Sequence, residues 1–145
     1  MIEQVRQRLA QLKEIAPESI GDILRLEPLE YDPQKQEILL RGQTQPWMRN
    51  AHGTLHGGIC ATVADQAMGA VAYCVKPGAG VAPTIDLSLN YHRPLLPGEG
   101  VLIRVRVVSI TRSLFHLAAE LYRESAPDKL CITSTATYFY KEEKT

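Results

Sequence analysis

One stretch, His56 to Cys74 (HGGICATVADQAMGAVAYC), constrains the fold more than any other part of this 145-residue chain. Apolar side chains point in almost every direction around a helix built from it, and a helix that is apolar nearly all round lies in the interior of a protein. Its alanines and glycines keep the helix narrow, so that neighbouring elements can approach closely. The stretch therefore predicts a central buried helix over residues 56–75, entered through Gly57 and Gly58.

A single carboxylate, Asp65, interrupts this apolar helix. Burying a charge without a partner is costly, so such a residue has a strong local reason to be present. Asp65 either caps a neighbouring backbone segment, pairs with a distant arginine, or takes part in chemistry. The helix by itself does not separate these explanations.

The composition excludes several classes of function. The 16 lysines and arginines balance 16 aspartates and glutamates, whereas a nucleic-acid-binding protein normally has a basic excess. Asp65 and Gln66 break the longest apolar run, so no segment is predicted to span a membrane. The first residues lack the apolar core of a secretion signal, and the cysteines, predicted to be buried reduced thiols, match no metal-binding spacing. We therefore expect a cytoplasmic protein with no nucleic-acid or membrane partner.

Periodic patterns predict the remaining elements. Apolar residues at helical spacing indicate a short N-terminal helix over residues 1–16. Extended or alternating segments predict strands at residues 22–31, 37–41, 84–91, 101–108, 115–122 and 130–140. Pro28 places the first strand at a sheet edge or creates a bulge, and turns are predicted at residues 32–34, 94–98, 111–113 and 126–128. Consecutive strands with short connections pair antiparallel, so we predict one α+β domain over residues 1–145, with a curved antiparallel sheet wrapped around one long central helix.

The sequence at the helix entry resembles the motif of a known enzyme family. Asn50 is followed, after five residues, by His56-Gly57-Gly58, and Asp65 lies seven residues after the second glycine. This pattern resembles the phenylacetate-degradation (PaaI-like) acyl-CoA thioesterases of the hot-dog fold superfamily. The segment Thr84–Tyr91 also resembles the third strand of that family. The later Pro94 and Gly98 resemble the turn that follows this strand in the family. The resemblance extends over roughly residues 35–140.

The resemblance implies hydrolysis of an acyl-CoA thioester, with no metal or other cofactor. The Gly57 N–H would donate to the thioester oxygen at the positive end of the helix, and His56 would hold that turn in place. Gly58 would leave space for the substrate. Asp65 would act either as a general base or as a nucleophile, and both roles stay open. Thr84 would position the attacking water.

Four further residues are candidates for substrate contacts. Asn50 would hydrogen-bond near the thioester or the water, and Arg93 and Arg112 would bind the phosphates of coenzyme A, with Ser113 beside the second arginine. His52 lies in a loop with no third ligand in view, so no metal site is predicted. The structural alternatives are a helix cap for the histidine at the helix start, close packing for the glycines, and ordinary loop, strand or surface positions for the others.

The helix geometry indicates that one chain does not complete the site. His56 and Asp65 are nine residues apart, which at about 100° and 1.5 Å per residue places them on opposite sides of the helix, about 13 Å apart. A site that uses both must be built from two chains. The resemblance likewise implies a homodimer, and we expect a dimer of dimers. We expect small residues to let two helices approach, namely Ala61, Ala64, Gly69 and Ala72.

Two other functions of this fold stay open at this point. A hot-dog hydratase or dehydratase uses a catalytic histidine with a carboxylate in another sequence context, so the pattern HGG-x6-D argues against it. A non-catalytic acyl-CoA-binding module would not need Asp65 in its helix. The fold alone does not decide among these functions, and the sequence does not indicate which acyl group is bound.

Overall fold

The computed structural model describes residues 1–76 and 78–142. Its helices are α1 (Ile2–Ile15), α2 (Ile20–Ile23) and the central helix α3 (Gly57–Cys74), with a 3₁₀ turn at Pro46–Met48. Its strands are β1 (Glu27–Asp32), β2 (Glu37–Gln43), β3 (Ala79–Val81), β4 (Thr84–Tyr91), β5 (Gly100–Ile110), β6 (Leu114–Arg123), β7 (Ala126–Phe139) and β8 (Lys141–Glu142). Within the described ranges, no helix is long and apolar enough to cross a membrane.

Six strands form one antiparallel sheet in the order β1-β2-β5-β6-β7-β4, while β3 and β8 pair separately. The central helix α3 contacts β4, β5, β6 and β7, so the sheet curves around a single helix. α1 packs against α3 and β1. This arrangement confirms the predicted fold class: a curved antiparallel sheet around one long helix, with a short N-terminal helix.

The alternating strands bury one face against α3. In β5 and β6 every second side chain points into the core, including Val101, Ile103, Val105, Phe115, Leu117 and Leu121. α3 contributes a buried stripe to the same core, formed by Cys60, Val63, Ala64, Ala67, Met68, Val71 and Ala72. Each large side chain buried in this way stabilises the fold by about 1.5–3 kcal/mol relative to its exposed state. This packing fixes the rotation of α3 against the sheet, and with it the direction of Asp65.

Most element boundaries lie within a few residues of the prediction, but two segments fold differently from it. Residues 20–23 form a helical turn instead of the start of a strand, because the Ser19 side chain caps it by accepting a bond from the Asp22 N–H at 3.4 Å. The predicted turn at residues 126–128 is also wrong. Ala126 already pairs with Arg123, so the turn lies at residues 124–125 and the proline that suggested a turn lies at the irregular start of β7, where strands accept proline.

β1 behaves as its proline predicts. It is an edge strand of the sheet, and its register shifts between Pro28 and Glu30. A proline lacks the N–H that a ladder needs, so it is accepted at such a position.

Burial within the single chain corrects two further expectations. Ala64 and Ala72 are fully buried in the core of their own chain, so they do not form part of a surface for a second helix. β4 was expected to be half-buried, but it is an edge strand on which Ile85 is 57% and Tyr91 54% exposed. The strand therefore alternates as predicted, but some of its apolar side chains remain exposed in the single chain.

Candidate active site

His56 forms the N-terminal cap of α3. Its Nδ1 accepts a hydrogen bond from the Gly58 N–H at 3.0 Å, and its carbonyl oxygen accepts the Cys60 N–H at 3.0 Å. The side chain is exposed at the helix entry. His56 therefore holds the first turn as a helix cap, and the Gly58 N–H is already occupied by this bond and is not a spare donor for substrate.

The Gly57 N–H is the donor that this turn leaves available. The first N–H groups of a helix have no acceptor within the helix. Two neighbouring backbone groups already have hydrogen-bond partners. The Gly58 N–H donates to the His56 side chain, and the Gly57 carbonyl oxygen accepts the Tyr91 hydroxyl at 2.6 Å. Within the described residues the Gly57 N–H has no acceptor, and it lies in the first turn of α3 at the positive end of the helix dipole, where it can stabilise a developing oxyanion. Tyr91 was not identified from the sequence.

A cavity of about 330 Å³ opens beside this turn, and we call it the Gly57 cavity. Asn50, Tyr91 and Arg93 contribute to its walls. The Arg93 guanidinium donates through Nη1 to the carbonyl oxygen of Leu130 at 2.8 Å, which leaves its other donors available. The Gly57 cavity therefore combines an oriented backbone donor with a cation, a combination suited to an oxyanion and a phosphate.

Cys60 also lines the Gly57 cavity, and its thiol is a potential nucleophile. Burial raises the pKa of the Cys60 thiol to about 11. Because the thiolate is the reactive species, a thiol that stays protonated at neutral pH is a poor nucleophile. The chemistry of this cavity therefore has to come from other groups.

Asn50 is used mainly to hold its own loop. Its Oδ1 accepts the N–H groups of His52 at 2.9 Å and Thr54 at 3.1 Å, and its Nδ2 donates to the Thr54 hydroxyl at 2.7 Å. These contacts fit the loop alternative, and they place Asn50 in the wall of the Gly57 cavity.

The described ranges hold no cluster of three or more His, Cys, Asp or Glu side chains that could bind a metal ion.

The Asp65 carboxylate is held by two hydroxyl groups. Oδ1 accepts the Thr84 hydroxyl at 2.8 Å and the Tyr138 hydroxyl at 2.9 Å. The Tyr138 hydroxyl is also 3.1 Å from the Asp65 carbonyl oxygen. The structure therefore brings together Asp65 and Thr84, and within the described residues Asp65 makes neither of the contacts left open from the sequence, an ion pair with an arginine or a cap on a backbone segment.

Tyr138 is the second residue that the sequence did not reveal. It is 1% exposed, on the inward face of β7, so its spacing suggests an ordinary core residue. Burial, then the charge of Asp65 and the hydrogen bond to it, raise the pKa of the Tyr138 phenol. The phenol therefore stays protonated and remains a donor to the carboxylate.

A second cavity, of about 220 Å³, surrounds this carboxylate, and we call it the Asp65 cavity. Thr84, Tyr138 and Gly69 line it together with Arg8 from α1. It shares no lining residue with the Gly57 cavity. A single chain thus presents the Gly57 turn and the Asp65 carboxylate in two separate cavities.

Arg112 and Ser113 lie apart from both cavities. They are exposed in the turn between β5 and β6. The Arg112 carbonyl oxygen accepts a bond from the Lys76 ammonium at 3.2 Å, and the Ser113 carbonyl oxygen accepts the Tyr140 N–H at 2.7 Å. Of the two arginines considered for the phosphates of coenzyme A, only Arg93 lies beside the Gly57 turn within one chain.

Comparison with known proteins places these features in context. The family model described as "Thioesterase superfamily" matches residues 52–129. Human acyl-coenzyme A thioesterase 13 is 34% identical over 73 residues, which are 50% of this chain and 51% of that protein. The chain therefore spans about half the length of the curated relatives it matches.

Two solved structures share the fold over most of the chain. The Escherichia coli PaaI protein of the phenylacetic acid degradation operon superposes with a TM-score of 0.78 at 15% identity, covering 99% of this chain and 97% of that one. A Streptococcus mutans protein bound to acetyl CoA superposes with a TM-score of 0.69 at 21% identity, covering 83% and 92% of the two chains. Both likenesses confirm the fold.

Proposed function

The chain belongs to the thioesterase superfamily, and from this premise we propose that it hydrolyses an acyl-CoA thioester to a free acid and coenzyme A. The observation that carries the proposal is the Asp65 carboxylate, which two hydroxyl groups hold in a cavity on an otherwise apolar helix. The name of the human relative and the acetyl CoA bound to the Streptococcus mutans protein support acyl-CoA as the substrate class.

The reaction requires an oxyanion site and a group that delivers an oxygen nucleophile. In the general-base route, Asp65 takes a proton from water while the hydroxide attacks the thioester carbon. In the nucleophilic route, Asp65 itself attacks, and water then hydrolyses the mixed anhydride. In both routes the Gly57 N–H stabilises the charge on the carbonyl oxygen, the C–S bond breaks, and the thiolate leaves and takes up a proton. Thr84 orients the carboxylate, and Asn50 supports the loop beside the oxyanion turn.

The proposed active unit is a homodimer in which each site uses Gly57 from one chain and Asp65 from the other. Separate cavities within one chain support this arrangement. β4 is an edge strand with exposed Ile85 and Tyr91, so it offers both unpaired backbone groups and apolar surface to a second copy. Two equivalent sites follow from a two-fold axis, and we propose a dimer of such dimers as the full assembly.

The direct test is a panel of acyl-CoA substrates that differ in acyl length and aromaticity, with release of free thiol as the measurement. We expect catalytic thiol release from at least one member of the panel. Saturable binding of acyl-CoA without thiol release would instead identify a binding module. Loss of the enoyl absorbance of a 2-enoyl-CoA, without thiol release, would identify a hydratase.

We predict that Arg93 binds the phosphates of the coenzyme. Arg93→Ala should raise the KM for acyl-CoA about three- to fivefold, the effect of one partly exposed ion pair. It should change the KM much less for the corresponding N-acetylcysteamine thioester, which has no phosphates. The single variants Arg112→Ala and Ser113→Ala test the second candidate position in the same way.

Arg106→Ala provides the matched control, because Arg106 is an exposed arginine in the middle of β5. It should leave both KM values unchanged. Equal increases in KM for the two substrates in Arg93→Ala would contradict a phosphate-binding role.

A further inference from the structure

Tyr138 contacts the candidate catalytic carboxylate from inside the core. It lies on β7, is 1% exposed, and directs its hydroxyl to Asp65 Oδ1 at 2.9 Å. The Tyr138 ring packs against the helix one turn after Asp65, where a Cβ added at Gly69 would lie 3.5 Å from the ring, an ordinary contact distance.

The two hydroxyl donors reach the same carboxylate oxygen. Thr84 and Tyr138 both donate to Asp65 Oδ1, and within the described residues no hydrogen bond reaches Oδ2. An oxygen that accepts two hydrogen bonds has its lone pairs engaged and is the weaker base and nucleophile. The arrangement therefore distinguishes two oxygens that would otherwise be equivalent.

Rigid placement is the reason a buried donor matters here. A carboxylate on a long helix can rotate about two side-chain bonds, and a general base or nucleophile acts only when its oxygen is within reach of the reacting atom. Thr84, the other donor, is exposed on the edge strand β4. Tyr138 is fixed by the core around it, so it anchors Asp65 to the sheet.

We propose that Tyr138 is a positioning residue for catalysis, whose hydroxyl fixes Asp65 Oδ1 together with Thr84 and leaves Oδ2 as the oxygen that activates water or attacks the thioester. This inference rests on the proposed thioesterase function. It makes Tyr138 a determinant of turnover and not of substrate affinity, because among the described residues its hydroxyl donates to Asp65 alone.

The test is Tyr138→Phe, which removes the hydroxyl and keeps the ring against Gly69. We expect kcat for acyl-CoA hydrolysis to fall about tenfold, which corresponds to about 1.4 kcal/mol, while the KM stays within twofold of wild type. Activity is measured well below the Tm of the variant. Tyr122→Phe is the matched control, because the Tyr122 hydroxyl donates to the Glu120 carboxylate away from both cavities, and it should change neither constant.

A second comparison separates positioning from general stability. Thr84→Val removes the other donor to Oδ1 and should lower kcat. Thr84→Ser keeps a hydroxyl and should retain most of the wild-type activity. In the double variant Tyr138→Phe/Thr84→Val, kcat should fall at least as far as the product of the two single losses predicts. A double variant no slower than Thr84→Val alone would show that Tyr138 contributes nothing to the carboxylate.

The outcomes also separate this inference from the proposed function. If wild type releases thiol from no acyl-CoA in the panel, the proposed function itself fails, and if Asp65→Asn retains full activity, the catalytic assignment of Asp65 fails. If Asp65→Asn is inactive while Tyr138→Phe keeps wild-type kcat, only the positioning role is overturned. A rise in KM with an unchanged kcat in Tyr138→Phe would also overturn it.

Discussion

Asp65→Asn is expected to lower kcat by at least about 10²-fold, the low end of the effect of a positioned acid–base group. The amide is nearly the same size, and its oxygen can still accept the bonds that Thr84 and Tyr138 donate. It can neither take a proton from water nor attack a thioester. Thiol release from acyl-CoA measures the loss, and the Tm and the binding of acyl-CoA should stay close to those of wild type.

Asp86→Asn is the control for this experiment. Asp86 is an exposed carboxylate two residues after Thr84 on the same strand, so the substitution makes the same chemical change at the surface and should leave turnover unaffected. Turnover at the wild-type rate in purified Asp65→Asn would refute the catalytic assignment.

Local patterns in the sequence predict most of the sheet and the helix. The alternation in β5 and β6 correctly indicates which side chains are buried, because a strand exposes its two faces in turn. Boundaries that depend on one side-chain cap or one pairing register are harder to predict from the sequence. The Ser19 cap replaces a predicted strand start by a helical turn, and the pairing of Ala126 with Arg123 moves a predicted turn.

The rotation of α3 about its axis is a property of its packing and not of its own sequence. Ala61, Ala64 and Ala72 are equivalent when the helix is considered alone. Against the sheet, Ala64 and Ala72 lie in the core of their own chain while Ala61 stays partly exposed. Nearly uniform apolar character therefore predicted burial of the helix correctly but did not predict which side faces outward.

The candidate site also has some residues that the sequence predicts and others that only the folded chain reveals. The spacing within the helix, together with the family resemblance, predicts roles for Gly57, Asp65 and the hydroxyl of Thr84. Tyr138 is 73 residues from Asp65 in the sequence, and Tyr91 is 34 residues from Gly57. Both lie in alternating strands where a tyrosine fits as an ordinary packing residue, so only the folded chain shows their hydroxyl contacts.

Gly57→Pro offers a selective way to remove the oxyanion donor. Proline is well accepted at the first position of a helix, because the N–H it lacks has no acceptor within the helix. His56 has φ −57° and ψ 134°, the extended conformation that a residue before proline prefers. Loss of one oxyanion donor should lower kcat about 10²- to 10³-fold. Gly57→Ala retains the N–H, and its Cβ would meet the Tyr91 hydroxyl at an ordinary contact distance of 3.5 Å.

Mixing the two inactive variants tests whether each site is shared between chains. Gly57→Pro and Asp65→Asn are unfolded together in equal amounts and refolded, so that about half of the dimers contain one chain of each kind. In a mixed dimer one site carries both lesions, and the other combines the intact Gly57 of one chain with the intact Asp65 of its partner. The mixture should therefore recover roughly a quarter of wild-type activity.

Each variant refolded alone sets the baseline, and wild type taken through the same procedure sets the maximum. If both groups came from one chain, every site in the mixture would carry a lesion, and activity would stay at the baseline. An active monomer, observed by light scattering at the assay concentration, would contradict a shared site independently. Recovery near a quarter requires that Gly57 and Asp65 meet across a two-fold interface, which is the arrangement that we propose from their separate cavities within one chain.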